Sequence, residues 1–305
     1  MNANPVPRLL VAVEAALGPF LLQVSLEVGA EPLAVVGPNG SGKSSLLRAI
    51  LGLLRLDRGY VALGEDILFD GDLAIDRPTE ERHLAYLPQD FGLFPHLTAV
   101  ENVAFALACG AEPTSRKQRR QQAMAWLDRF GIGGLAEQYP PQLSGGERQR
   151  IALARAMASS PRAILLDEPT ASLDVEARVE VRAFLAGCIR SLGLPTVLVT
   201  HDVMDVEALA GRVAVLEGGR VASCGPLSDI RETPPTPFAS RLFSLPAPVS
   251  AAAIPGNGNP ETRKFDHRTR PPHAINVSGQ RSPPACRVQY SCPCSPSSIA
   301  EPSSC

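Results

Sequence analysis

Residues Gly37-Pro38-Asn39-Gly40-Ser41-Gly42-Lys43-Ser44 read G-x-x-x-x-G-K-[ST], the pattern of a phosphate-binding loop, and both flanks fit it. Leu33-Ala34-Val35-Val36 before it is a short apolar run bounded by Pro32 and Gly37, which predicts a buried strand. After the loop and Ser45, apolar residues recur at helical spacing in Leu46, Leu47, Ile50, Leu51 and Leu54. Strand, glycine-rich turn and helix would place backbone N–H groups and a helix N-terminus around one anion. Lys43 would reach the β/γ-phosphates of a nucleoside triphosphate and the Ser44 hydroxyl would sit on Mg²⁺. A glycine-rich turn with an incidental lysine explains neither flank.

A chain of 305 residues can hold two domains, or one domain and a tail. Its apolar fraction of 45% is enough for a sizeable core. A net charge of −2 argues against a nucleic-acid-binding surface. No run of about 18 uncharged apolar residues occurs, so no spanning helix is expected. Met1 to Val13 lacks a signal-peptide core and cleavage site, and the expectation is a cytosolic protein. Cys109, Cys188 and Cys224 are widely separated and read as small apolar fillers rather than ligands.

Leu22, Val24, Leu26 and Val28 alternate with polar residues, the pattern of a half-buried antiparallel strand, and Leu9 to Val13 is its expected partner. Residues 6–28 thus predict a small sheet ahead of the loop. Phe20 lies there, either stacking on an adenine base or packing on the core from a turn. Short strands follow at Gly59 to Leu63, Ile67 to Phe69 and His83 to Leu87, the last ending at Pro88-Gln89-Asp90. From Ala99 to Ala108, and from Gln118 to Phe130, the period turns helical. The basic run Arg116 to Arg120 reads as a solvated helix start. Residues 90–160 form an inserted helical subdomain on this reading. Strands return at Ala163 to Leu166 and Thr196 to Val199, with a helix from Val175 to Leu192 between them, and a hairpin spans Val213 to Ala222. Periodicity fades after Leu245. Residues 1–245 therefore read as one α/β domain and 246–305, rich in Pro, Ser and Cys, as a disordered tail. Cys292-Pro293-Cys294 in that tail lacks the spacing of a zinc site.

Several apolar runs end in residues suited to triphosphate hydrolysis. In an open parallel sheet, ligands lie beyond the carboxyl ends of the strands. That rule brings Lys43, Asp167-Glu168 and His201 to one rim. Asp167 is placed to hold Mg²⁺. Glu168, one residue beyond the strand, can act as general base toward water. His201 can meet the γ-phosphate; a single histidine at a strand end is often a hydrogen-bonded structural residue, and the convergence on one rim favours the phosphate role. Gln89, at another strand end, can complete the Mg²⁺ shell or orient water. A second motif, Leu143-Ser144-Gly145-Gly146-Glu147-Arg148-Gln149-Arg150, contains a capping box of Ser144 and Glu147. The box leaves Gly145 and Gly146 unexplained, each costing about 1 kcal/mol inside a helix. Bare N–H groups there suit a phosphate, and two copies of the chain could each offer this helix to the other's nucleotide.

The phosphate loop, Gln89, Leu143 to Glu147, Ala163 to Pro169, Ala171-Ser172-Leu173-Asp174 and His201 occur in the order found in ABC-transporter ATPase subunits, which residues 6–242 resemble. The resemblance implies an α/β fold, with a P-loop NTPase core on a mixed sheet, an N-terminal antiparallel β-subdomain and an inserted helical subdomain. It also implies ATP and Mg²⁺ as ligands and a head-to-tail homodimer with two ATP molecules sandwiched between loop and partner motif. In that arrangement Ser144, Gly145 and Gly146 act on the partner's nucleotide and Asp174 lies at the dimer interface. Asp174 also reads as a plain helix N-cap. The chain is similar to separately encoded importer subunits, peripheral to the cytoplasmic face of the membrane. Those work with transmembrane permease subunits, contacted here around Gln89 and Phe91 to His96, and indirectly with a periplasmic or surface binding protein. Ile67 to Asp70 followed by Arg77 to Arg82, and Gln89-Asp90 followed by Leu93 to His96, look like the molybdate importer ATPase. Importer subunits for sulfate, iron, sugars and polyamines share much of this, and a soluble non-transport ATPase of the same family is the other alternative. Residues 246–305 depart from the small oxyanion-binding barrel usual in molybdate subunits.

Overall fold

In the computed structural model, residues 6–108 and 115–244 are described below. The chain opens with β1 (Leu9–Leu17) and β2 (Phe20–Val28), an antiparallel pair in register from Leu9↔Val28 to Leu17↔Phe20. The turn is therefore Gly18-Pro19, and Phe20 stands in a strand rather than in the turn. Then come β3 (Leu33–Val36), α1 (Lys43–Leu51), β4 (Arg58–Leu63), β5 (Asp66–Asp70), β6 (Ile75–Asp76) and β7 (Leu84–Leu87). Helices α2 (Ala99–Ala108), α3 (Arg116–Arg129) and α4 (Gly145–Ala158) follow without an intervening strand. The remainder is β8 (Ala163–Asp167), α5 (Val175–Leu192), β9 (Thr196–Val199), α6 (Val203–Leu209), β10 (Arg212–Glu217), β11 (Arg220–Pro226), α7 (Leu227–Glu232) and α8 (Pro237–Phe243).

The strands form one eleven-stranded sheet in the order β6-β5-β4-β1-β2-β11-β10-β3-β9-β8-β7. From β10 to β7 the neighbours are parallel, and the β6 to β2 wing is antiparallel. The expected separate N-terminal sheet is thus continuous with the parallel core. The joint is the β2–β11 pairing, registered at Arg220↔Gln23 and extended by the Gln23 N–H donating to Gly219 O at 2.7 Å.

Parallel strands covered on both faces read as unbroken apolar runs, because neither side meets water. In β3, Leu33 and Val35 join one core and Ala34 and Val36 the other. In β8, Ala163 and Leu165 face the first core while Ile164 and Leu166 face the second. The first core packs α1 and the antiparallel wing; the second packs α2 to α8. Of the cysteines expected as fillers, Cys188 is half-buried but Cys224 is exposed, and Cys109 lies outside the described residues, as does the tail 246–305.

One buried charge ties the two parts of the sheet to α1. Arg82 is 1% exposed and donates to Ile50 O at 2.8 Å, Ala49 O at 3.3 Å and Arg77 O at 2.8 Å, and to the Asp76 carboxylate at 2.7 Å. A guanidinium at a helix C-terminus satisfies carbonyls left without an intrahelical partner and opposes the negative end of the dipole. Gly52 makes room for it, since a Cβ there would lie 2.7 Å from the guanidinium. Part of the Arg77 to Arg82 segment therefore has a structural purpose independent of any transported substrate. Arg82→Ala is expected to lower the unfolding free energy by about 2–4 kcal/mol, through the carbonyls it leaves without a donor, since the largely exposed Asp76 stays hydrated. Equilibrium urea unfolding measures it; a loss below about 0.5 kcal/mol would show that the cap is idle.

Candidate functional site

β3 runs straight into the phosphate loop, and the loop's glycines are placed where a side chain cannot stand. A Cβ on Gly37 would lie 2.0 Å from Leu216 O of β10, so the backbones touch there. Gly40 and Gly42 have φ of 78° and 101°, a region that L side chains rarely occupy. Gly42 is the N-cap of α1 and brings no capping side chain, so the N–H groups of the first turn face outward for an anion. Lys43 Nζ folds back and donates to Gly37 O at 2.8 Å and Pro38 O at 3.0 Å. Burial lowers the Lys43 pKa, opposed by the nearby Glu168 and Asp167 carboxylates. Pro38, Asn39 and Gly40 are exposed, as is Ser44, while Ser45 is half-buried. Ser41 is buried, with an Oγ that has no partner among the described residues. The half-buried Phe20 ring lies against the loop's last glycine. Its Cζ is 3.1 Å from the position of a Cβ on Gly42 and equally close to one on Gly219.

The parallel strands β3, β7, β8 and β9 end on the same side, as their pairings require. Asp167, the last residue of β8, accepts from Ser44 Oγ at 3.3 Å on one oxygen and from Tyr86 OH at 3.4 Å on the other. Burial raises the Asp167 pKa; the Ser44 hydrogen bond opposes this and the Glu168 charge adds to it. Tyr86, one strand over, is pushed up to about 12 by burial and then by Asp167. A hydroxyl and a carboxylate converging beside a phosphate loop fit Mg²⁺, which takes one or two protein oxygens and fills its shell with phosphates and water. Among the described residues no cluster of three or more His, Cys, Asp or Glu forms a protein-only metal cage.

Glu168 follows with φ of 47°, a left-handed conformation costing about 1–3 kcal/mol for a non-glycine residue. Its N–H donates to Val199 O at 2.8 Å, which ties the end of β8 to the end of β9. Its Oε1 lies 3.0 Å from His201 Nδ1. His201 is exposed and Glu168 half-buried, so the pair borders solvent on one side and the loop on the other. Gln89 is exposed two residues beyond β7; its carbonyl accepts from Ser172 Oγ at 3.5 Å, and its side chain meets no partner among the described residues.

The second motif stands apart. Ser144 is the N-cap of α4: Glu147 N–H donates to its Oγ at 3.3 Å, and Glu147 Oε2 accepts from its N–H at 2.8 Å. Gly145 has a packing reason that the sequence reading did not supply, since a Cβ there would lie 2.6 Å from Leu173 Cδ2. Gly146 has none of that kind; a Cβ would meet Val181 at an ordinary 3.5 Å. Asp174 caps α5, accepting from Ala177 N–H at 2.9 Å. Among the described residues, no hydrogen bond or ion pair links Ser144, Gly145, Gly146 or Asp174 to the phosphate loop. Tyr86 and the support beneath Glu168 and His201 are the site features that sequence reasoning missed. Tyr86 lies in an otherwise unremarkable strand, and only the β7–β8 pairing brings it to Asp167.

Loop, acidic strand end and histidine on one rim of a parallel sheet define a phosphate-loop nucleotide-binding domain. A family model described as ABC transporter matches residues 21–171. The "Molybdenum import ATP-binding protein ModC" of Mycobacterium tuberculosis (strain ATCC 25618 / H37Rv) is 44% identical over 227 residues, which are 73% of this chain and 62% of that protein. The "Sulfate/thiosulfate import ATP-binding protein CysA" of Mesorhizobium japonicum is 41% identical over 243 residues, 77% of this chain and 68% of that one. Among solved structures, the dimeric bacterial ABC transporter cassette MJ0796 superposes with a TM-score of 0.60 at 30% identity, covering 72% of this chain and 98% of its own. The chain belongs to the ABC transporter family, as an ATP-binding cassette. It spans about 62% of the length of the ModC relatives it matches.

Proposed function

We propose that this chain is the ATP-hydrolysing subunit of an importer, coupling ATP binding and hydrolysis to uptake of molybdate or a similar oxyanion. The observation that carries the hydrolytic part is the pairing of Ser44 with Asp167 and of Glu168 with His201 beside the phosphate loop. ATP would draw Lys43 Nζ from the Gly37 and Pro38 carbonyls to its β/γ-phosphates, exchanging two neutral acceptors for charged ones. The N–H groups of the loop and of the first turn of α1 hold the remaining phosphate oxygens. Ser44 and Asp167 would hold Mg²⁺, with Gln89 completing its shell, and the ion would supply charge neutralisation on the phosphates. Glu168 accepts the proton of the attacking water as that water bonds to the γ-phosphorus and the bond from that phosphorus to the β,γ-bridging oxygen breaks, with ADP as the leaving group. His201 braces Glu168 and donates toward the γ-phosphate.

A second copy completes the site in this account. Ser144, Gly145 and Gly146 of one chain close on the ATP of the other, head to tail, with Asp174 at the same interface. A ligand gripped on both sides only in the closed dimer has the differential affinity that a two-state switch needs. Residues 1–245 form the working unit, with 90–160 as its helical part. No helix among the described residues is long and apolar enough to cross a membrane. In this reading transmembrane permease subunits carry the cargo, the chain docks on their cytoplasmic face, and a binding protein delivers the cargo from outside. Sulfate is the second reading, favoured by the 41% identity to the CysA protein. The test is uptake of labelled molybdate and of labelled sulfate in cells deleted for this chain and rescued with it. Restored molybdate uptake is expected. Restored sulfate uptake alone would transfer the proposal to sulfate, and rescue of neither would remove oxyanion import.

A further inference from the structure

The two residues that would act on water and γ-phosphate sit on separate loops, and one of them is conformationally strained. Glu168 lies between β8 and α5 and His201 between β9 and α6. A left-handed glutamate persists only where its surroundings over-determine it. Beneath the pair, a buried polar network joins the two loops to the two helices that follow them.

Asp205 of α6 is 1% exposed and both its oxygens are used. Its Oδ2 accepts from Thr170 Oγ1 at 2.7 Å and from Thr200 Oγ1 at 3.1 Å. Its Oδ1 accepts from Arg182 Nε of α5 at 2.7 Å. Arg182 also donates to Asp202 Oδ2 at 3.0 Å, and Asp202 in turn accepts from Met204 N–H at 2.8 Å as the cap of α6. Thr200 Oγ1 accepts from the Asp202 N–H at 3.0 Å. Thr170 and Thr200 are 1% and 2% exposed, so water is not a ready substitute for either hydroxyl.

Thr170 is two residues after Glu168, and Thr200 is one residue before His201. A single carboxylate oxygen thus holds the backbone of both loops at those two points. We propose that Asp205 is a positioning residue: through Thr170 and Thr200 it sets the register between Glu168 and His201. Arg182 neutralises the buried carboxylate so that both hydroxyl bonds are made to a charged acceptor, the stronger kind. What the network adds is that both loops meet one acceptor, so neither can shift without losing a bond to the other's anchor. This inference rests on the hydrolytic reading of Glu168 above.

The test compares Thr170→Val with Thr170→Ser in the full chain. Valine keeps the shape and deletes the donor, while serine restores it; Asp205→Asn is the companion variant, at risk of misfolding because it removes the buried carboxylate charge and leaves Arg182 with Asp202 as its remaining anionic partner. For Thr170→Val, turnover is expected to fall about 10- to 100-fold, as for a small misplacement of reacting groups. ATP affinity should stay within about twofold, and Thr170→Ser should recover most of the rate. Folded Thr170→Val with near-native turnover would overturn the proposal, as would a rate loss matched by the loss of ATP affinity. A second readout does not need turnover. In the wild type, Glu168→Gln should shift the His201 imidazole resonances, assigned by their disappearance in His201→Ala. In the Thr170→Val background that shift should vanish, and its persistence there would also overturn the proposal. Absence of wild-type turnover would instead count against the hydrolytic reading, and leaves the resonance test in force.

Discussion

Glu168→Gln is expected to bind ATP as the wild type does and to lose turnover by about 10²- to 10⁴-fold, the usual contribution of a positioned general base. Glutamine fills the same volume beside His201 Nδ1, where the carboxylate now lies at 3.0 Å, so the loop need not move. What it cannot do is accept a proton. Single-turnover hydrolysis with ATP in excess of its dissociation constant isolates this step from binding. Near-native turnover would remove Glu168 from the base role and leave His201 or a γ-phosphate oxygen as the remaining proton acceptors on the rim.

Lys43→Ala should act earlier, on binding itself. In the proposed site the lysine supplies an ammonium to the β/γ-phosphates, and a charge-assisted hydrogen bond is worth about 1.5–3 kcal/mol. That corresponds to roughly 10- to 100-fold in ATP affinity, since each 1.4 kcal/mol is tenfold. The fold should survive, because Lys43 bonds only to the carbonyls of its own loop. Calorimetric titration with ATP and Mg²⁺ reads the change directly. Unaltered affinity would mean that the backbone N–H groups alone hold the phosphates.

Both variants act at residues that the sequence pointed to; other parts of the structure needed the fold. β3, the loop and α1 were readable because a rigid motif is flanked by a fully buried strand and by helical spacing, both of which are local signals. α5 was readable to its ends, Val175 and Leu192, since Asp174 caps it and Gly193 takes the left-handed conformation that stops it. β9 ran as expected from Thr196 to Val199 for the same reason as β3: it is buried on both faces. Helices α6, α7 and α8 escaped notice, at seven, six and seven residues too short to show a period. The junction of the antiparallel wing with the parallel core escaped too. It is one pairing between residues far apart in sequence, Arg220 and Gln23.

Within the site the same division holds. Ser44 was read from the loop motif, and Lys43, Asp167-Glu168 and His201 as residues following strands that one sheet brings to one rim. Tyr86, Arg82 and Asp205 were not, because each acts across a tertiary contact with no local pattern. Gly145 was read as freedom for a phosphate, and in the chain it also makes room for Leu173. That packing does not compete with the proposed role, since the side facing Leu173 is a Cβ position and the N–H remains unused by any side chain. Gly146 still lacks a steric reason within one chain. It is the residue of this motif that most favours a second copy.

The composite, two-chain site is the central claim, and sedimentation of the Glu168→Gln protein tests it most directly. With hydrolysis arrested, ATP and Mg²⁺ should hold two chains together, while ADP and Mg²⁺ should leave them apart. Dimers with ATP that disappear in Gly146→Asp, where a carboxylate would oppose the partner's phosphates, are the predicted result. A monomer saturated with ATP at every protein concentration would contradict the account.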